Sequence, residues 1–379
     1  LHGPCGLMGT IRYDDGSTTV PAPLTTPGGP EFYDWLGRMV GAGCRSVAME
    51  LSSHGLDQGR TAGLGLDVAV MTNLGRDHLD YHGTMDAYLA AKARIMDHLR
   101  TGDDSAGTGR PGVIVLNGGD PSFADLDTRD HPAVRFKAEA GPADGTADLQ
   151  VTGEDLSLTG TRLDLDWRGR TLTVESPLVG RFNAANLTAA QAAGLALGLA
   201  PEECCRALGR LEQVPGRLER IVLPGGGLAV VDYAHTHDAL AAVLATCDEL
   251  SAGRLLVVFG CGGDRDRGKR PLMGAVAARG ADRTWITSDN PRSEDPAAIC
   301  GDILEGYENT GGKRSRCCTV IVDRTEGIEA ALADAREGDV VVVAGKGHED
   351  YQLVGDQVLQ LDDRQIIRDW TAKVGDGED

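Results

Sequence analysis

From residue 228 to residue 370 the chain alternates between short apolar runs and helical patterns, and this alternation constrains the fold more than any other feature. Strands are expected at 228–233, 254–259, 284–287, 318–322 and 340–344, and helices at 238–249, 271–279, 295–305, 325–335 and 363–370. Strands joined by single helices pair in parallel through right-handed crossovers, so this half predicts a mostly parallel α/β sheet. Residues 212–220 (EQVPGRLER) interrupt the pattern and serve as the expected domain boundary, between 214 and 215.

The first half reads less regularly. A strand or two with a turn at Asp14–Gly16 open it, then a helix entered at Thr25-Thr26-Pro27 and ended by Gly41 or Gly43. Apolar runs at 46–51, 67–72 and 113–116 read as buried strands. Thr84 is a plausible N-cap for a helix containing Lys92. Residues 101–111 read as a surface loop, and 133–179 as period-two strands with a hairpin at Arg168–Gly169. A helix starting near Asn183 and a short one at 201–211 complete this part.

The 379 residues suffice for two or three domains. Net charge is −20, which argues against nucleic acid or a membrane surface as the main partner. No apolar run is long enough to span a bilayer. The nine cysteines lack CxxC spacing and fit reduced thiols of a cytoplasmic protein.

Chemistry concentrates at strand ends, where open parallel sheets bind ligands. Glu50, Ser52, Ser53 and His54 follow one run, and Asn73, Asp77, His78, Asp80 and His82 another. Such density suits a metal or phosphate site, although solvated loops carry the same residue types. Spacing alone gives Lys92 no role. FGCGGDRDRGKRPLMG nearly matches a phosphate loop, but Arg270 stands where Ser or Thr would hold magnesium. It reads better as a carboxylate- or diphosphate-facing site on Arg265, Arg267, Lys269 and Arg270, or as a solvated basic turn. In SDNPR, Asp289 and Arg292 can hold a zwitterion, or form a plain Asn-Pro turn. AGKGHEDYQ offers Gly345 and Gly347 for close backbone approach and Glu349 for an amine; VDYAHTHDAL offers Asp232 and His235. No zinc spacing and no GxSxG elbow occur.

Together these runs resemble the Mur ligase family, specifically its MurE type, nearly end to end. The resemblance rests on TTP at 25–27, MELSSH at 49–54, TNLGRDHLDYHGT at 72–84, AAK at 90–92, GRFNAANL at 180–187, PGRLE at 215–219, VDYAHTHDAL, the glycine-rich run, TSDNPR and AGKGHEDYQ. It implies a central ATPase-type domain at 1–214, a parallel sheet plus a small antiparallel portion, followed by a Rossmann-like α/β domain at 215–379. It implies a cytoplasmic, monomeric, ATP- and Mg2+-dependent ligase joining meso-diaminopimelate to UDP-MurNAc-L-Ala-D-Glu through an acyl phosphate. Glu50 and His78 match the family's magnesium ligands, and Lys92 the lysine carbamylated by CO2, a third ligand and catalytic group. Thr25, Thr26, Ser52, Gln58 and Arg60 match contacts to the UDP-MurNAc dipeptide. Asn183, Arg217, Asp232 and His235 match nucleotide-contacting positions. Arg265, Asp289, Asn290, Pro291, Arg292, Gly345 and Glu349 match the acceptor site, with Arg292 suited to the second carboxylate that L-lysine lacks.

The family's N-terminal UDP-binding domain and its GTNGKTT phosphate loop have no counterpart in these residues. The expectation is therefore a natural chain extending upstream, with the present residues binding ATP poorly and turning over little. Two alternatives stand beside the ligase. One is a related enzyme such as a folylpolyglutamate or cyanophycin synthetase, against which DNPR and GKGHE argue. The other is a loop-less binding homologue for diaminopimelate or a wall precursor.

Overall fold

The computed structural model describes residues 3–75, 77–102, 109–312 and 314–375, so the expected loop at 101–111 lies partly outside the described residues. Two compact units emerge: Leu1–Asp155, Arg162–Glu175 and Phe182–Arg210 form the first, and Leu156–Thr161, Ser176–Arg181 and Leu211–Asp379 the second.

The first unit begins with β1 (Cys5–Met8), β2 (Arg12–Asp14) and β3 (Thr19–Pro21), then α1 (Gly29–Gly41), β4 (Ser46–Met49), α2 (Ser53–Asp57), β5 (Val68–Met71), α3 (Leu79–His82) and α4 (Met85–Ala93). Next come β6 (Val113–Asn117), β7 (Ala133–Lys137), β8 (Leu149–Ser157), β9 (Gly160–Trp167), β10 (Arg170–Ser176), α5 (Arg181–Ala196) and α6 (Pro201–Leu208). One sheet has the order β3-β2-β1-β4 and another β10-β9-β8-β7-β6-β5. Strands β5 to β8 run parallel, and β1 is parallel to β4. The β9–β10 hairpin turns where expected, because Arg168 and Gly169 both take left-handed backbone, at φ 52° and 85°. Thr84 caps α4 through its hydroxyl, 3.2 Å from the Ala87 amide.

Helix α1 departs from expectation. It begins at Gly29 behind an uncapped Gly28, not at Thr25-Thr26-Pro27. Thr26 is buried instead, and its hydroxyl donates to the Glu50 carbonyl (3.1 Å) and accepts from the Ser52 amide (2.9 Å).

The second unit holds β11 (Glu219–Val222), β12 (Leu228–Asp232), α7 (His237–Leu250), β13 (Leu255–Phe259), α8 (Lys269–Gly280), β14 (Arg283–Ile286) and α9 (Pro296–Glu308). It continues with β15 (Cys317–Val320), α10 (Arg324–Asp334), β16 (Val340–Ala344), β17 (Tyr351–Val354), β18 (Gln357–Gln360) and α11 (Asp363–Gly375). Its sheet has the order β11-β12-β16-β13-β14-β15, parallel apart from β11. Strands β13 and β16 are buried at every residue, as their unbroken apolar runs require. One face packs Leu240, Leu244, Met273, Ala277 and Ile303 from α7, α8 and α9; the other packs Ile328, Leu332 and Ile367 from α10 and α11. Two elements of this unit were not foreseen: β11, which overlaps the end of the expected boundary segment 212–220, and the β17–β18 hairpin. None of the nine cysteines is in a disulfide, and burial pushes the Cys247 and Cys261 thiols up to about 12. No helix among the described residues is long and apolar enough to cross a membrane.

Beneath the sheet's carboxyl end lies a fully buried ion pair. Arg324 grips Asp363 with two hydrogen bonds of 2.7 Å, and its remaining donors reach the carbonyls of Ser288 (3.2 Å) and Ala344 (3.0 Å). Removing one partner strands a charge in a dry interior. Asp363→Ala is expected to lower unfolding free energy by about 3–5 kcal/mol, read by urea denaturation.

Candidate active site

In the first unit, β4 ends one sheet, β5 ends the other, and a cavity of about 580 Å³ is lined by both. Glu50, at the end of β4, and Lys92, on α4, both line it. Glu50 is steadied by the Thr10 amide and hydroxyl, and Thr10 in turn meets the Thr25 hydroxyl at 3.1 Å. Burial depresses the Lys92 pKa, favouring the neutral amine, the form that can attack CO2. Its Nζ sits 5.0 Å over the Tyr88 ring.

His78 adopts a left-handed backbone (φ 54°) before α3, and its ring lies 6.0 Å from Tyr88 and 5.0 Å from His54. It is not among the residues lining the cavity, whereas Glu50 and Lys92 are. His82 hydrogen-bonds Ser53 at 2.9 Å and stacks on Tyr88. Burial, reinforced by His78 and His82, lowers the His54 pKa.

The five positions matched to dipeptide contacts fold into one cluster. Ser52 caps α2 by accepting from the Gly55 amide (3.1 Å). Arg60 donates to the Thr26 carbonyl (2.8 Å) and, through two nitrogens, to Gln58 Oε1 (3.0 and 2.7 Å). Gly55 packs closely here: a Cβ would lie 2.8 Å from the Thr26 side chain, which would have to shift.

In the second unit, four strand ends converge. Asn290 Nδ2 donates to Glu349 Oε2 at 2.9 Å. Lys346, fully buried, reaches Asn290 Oδ1 (3.2 Å) and Glu349 Oε2 (3.3 Å). Asp289 is buried, and its carboxylate accepts from the Asn290 amide. Gly345, at φ 117°, leaves room for it: a Cβ there would lie 2.8 Å from Asp289 Oδ2. Arg292 Nη1 donates to the Gly263 carbonyl at 2.9 Å. The bare Cα of Gly262 admits both Arg292 and Arg265, at 3.0 Å (Nη1) and 3.8 Å (Cγ) from where a Cβ would stand. Pro291 is buried, its carbonyl against Gly263.

Arg270 departs from the sequence reading. It is buried and forms ion pairs with Glu294 and Asp302, so it braces the glycine-rich loop. Exposed Arg267 also pairs with Glu294. Lys269 donates to the His235 carbonyl at 2.8 Å.

Among the nucleotide-matched positions, Asp232 is buried, which raises its pKa, and its oxygens accept from the Leu218 (2.8 Å) and Ala234 (2.9 Å) amides. Arg217 lies 5.0 Å over the Tyr233 ring, and His235 packs 4.8 Å from that ring. Asn183 is buried in α5 of the other unit. Sequence reasoning passed over Lys346, Tyr233 and the β17–β18 hairpin. The hairpin had a signal, the Gly355-Asp356 turn between apolar residues.

Comparison with known proteins adds three findings. Residues 2–194 match the Mur ligase middle domain, and residues 216–347 the Mur ligase glutamate ligase domain. A UDP-N-acetylmuramoyl-L-alanyl-D-glutamate--2,6-diaminopimelate ligase of Geobacter metallireducens is 43% identical over 96% of this chain and 72% of its own. The like-named protein of Synechococcus elongatus is 43% identical over 96% and 70%. A solved structure of that same ligase type superposes with TM-score 0.68 and 37% identity, covering 98% of this chain and 73% of the other.

Glu294 gives a pH test. Its bonds to Arg270 hold the carboxyl at about 2, below its ordinary 4.5. The unfolded chain takes up this proton first, so the stabilisation is full above pH 4.5 and lost as pH falls toward 2. Glu294→Gln should therefore melt below wild type at neutral pH, the gap closing on acidification through that window in a thermal-melt series.

Proposed function

The chain belongs to the Mur ligase family, and on that footing we propose that it joins meso-2,6-diaminopimelate to UDP-MurNAc-L-Ala-D-Glu in peptidoglycan synthesis. The observation that carries the reading is the strand-end cluster of the second unit. Glu349, Asn290 and Asp289 offer acceptors for an ammonium, while Arg292 and Arg265 offer cations beside them. A ligand bearing two amino-acid ends matches both signs of charge. L-lysine lacks the second carboxylate and would leave Arg292 unpaired.

In the proposed reaction a γ-carboxylate oxygen of the substrate's D-glutamate takes the γ-phosphoryl group of ATP, releasing ADP; the neutral acceptor amine then attacks the acyl carbon, loses a proton and expels phosphate to leave the amide. Thr25, Thr26, Ser52, Gln58 and Arg60 are proposed to hold the dipeptide portion of that substrate. Arg217 and His235 are exposed around Tyr233 and suit contact with a nucleotide; buried Asp232 fixes their loops, and Asn183 is a further proposed contact. Magnesium fits the donor chemistry of the first unit. Glu50 and Lys92 line one cavity, where Lys92, once carbamylated, would present hard oxygen ligands beside Glu50; His78, outside that lining, is the third proposed ligand. When bound, the metal would neutralise phosphoryl charge. We further infer that ATP-driven turnover by these residues alone is slight, since no GTNGKTT run occurs among them. The protein is proposed to act in the cytoplasm, where its nucleotide substrates are made.

Two measurements check this reading. Calorimetric titration should show tighter binding of meso-diaminopimelate than of L-lysine, and Arg292→Ala should weaken the former by roughly 10–100-fold, the worth of a charge-assisted hydrogen bond. Equal binding of the two ligands would sink the acceptor assignment. Carbon-labelled bicarbonate should give a carbamate resonance in wild type that Lys92→Ala lacks.

A further inference from the structure

Arg292 is held in a conformation that arginine rarely adopts, and something must keep it there. Its φ is 52°, in the left-handed region that favours glycine. Such a backbone persists only where its surroundings over-determine it. Here the surroundings are the β17–β18 hairpin. The Arg292 amide donates to the Leu353 carbonyl at 3.0 Å, and the Gly355 amide donates to the Arg292 carbonyl at 2.7 Å. These bonds make an isolated parallel bridge between Arg292 and Val354. The same hairpin holds the preceding residues. The Leu353 amide donates to Asn290 Oδ1 (2.9 Å), and the Gln352 side chain donates to the Asp289 carbonyl (2.6 Å).

The clamp has a consequence for the side chain. With the backbone held, the guanidinium spends only Nη1, on the carbonyls of Gly263 (2.9 Å) and Asn290 (3.5 Å). Among the described residues Nε and Nη2 have no hydrogen-bond partner, which leaves one edge of the fork for a carboxylate. The hairpin is otherwise thinly packed: every residue of β18 is exposed, and nothing lies within 4 Å of a Cβ built on Gly355. Its dense bonding to residues 289–292 therefore stands out.

The geometry points to the β17–β18 hairpin, through Gly355 and Gln352, as the element that determines acceptor specificity by aiming Arg292. This rests on the acceptor reading above. Gly355 and Gln352 are positioning residues and touch no ligand themselves. Gly355 carries the test because its amide is the clamp and its φ of 57° excludes proline.

Binding of meso-diaminopimelate and of L-lysine would be titrated calorimetrically to wild type, Gly355→Pro, Gly355→Ala and Gln352→Ala, each first checked for a cooperative thermal melt. Gly355→Pro is expected to cut the preference for diaminopimelate at least about tenfold, with lysine binding nearly unchanged. Gly355→Ala keeps the amide, so its preference for diaminopimelate should stay close to wild type even though Ala at this left-handed φ lowers the melting temperature. Added to Arg292→Ala, Gly355→Pro should cost nothing more. Should Gly355→Pro not fold, Gln352→Ala decides by the same ratio, with a smaller fall expected. A variant that loses both ligands equally, or keeps the wild-type preference, overturns the inference while leaving the acceptor reading intact. A wild-type protein with no preference overturns both.

Discussion

Arg324 is buried away from bulk solvent, and that fact disciplines the carboxyl end of the second sheet. A guanidinium buried this completely must find every partner inside the protein. It takes Asp363 from the start of α11 and the carbonyls of Ser288 and Ala344. Those carbonyls belong to the residues just before Asp289 and Gly345. One buried charge thus fixes two strand ends relative to each other and to the last helix. The loops above inherit this rigidity, and a site needs it when its ligand is recognised by opposed charges a few ångströms apart.

On that base the strand-end loops brace one another. Lys346 neutralises part of Glu349 and holds Asn290, so the two side chains proposed to meet the acceptor are fixed by the protein itself. Glycines allow the approach: Gly345 yields to Asp289, Gly262 to the arginines, and Gly216 packs so tightly on Gly347 that a Cβ would overlap its backbone. The first unit follows the same logic with hydroxyls. Thr26 bonds to both sides of Leu51, and Thr10 anchors the Glu50 carboxylate.

Much of this was legible in the sequence. Parallel alternation in the second unit, the Arg168–Gly169 turn and the Thr84 cap follow from periodicity and turn chemistry, which are local properties. Elements set by pairing across the chain were harder. Strand β11 is four residues long with a single fully buried position, so its pattern resembles a linker; its identity comes from pairing with β12. The TTP entry to α1 failed because the Thr26 hydroxyl is used by Glu50 and Ser52, far away in sequence.

The sequence by itself determined which residue types stand at each strand end, since strand ends are set by local apolar runs and the candidate site residues follow them directly. Only the tertiary structure decided what each of those residues does there. Arg265, Arg267, Lys269 and Arg270 look alike in a row, yet burial turns Arg270 into a brace for Glu294 and Asp302 and leaves Arg265 beside Arg292. Desolvation and hydrogen-bond partners assign those roles, and both depend on neighbours that arrive from distant parts of the chain.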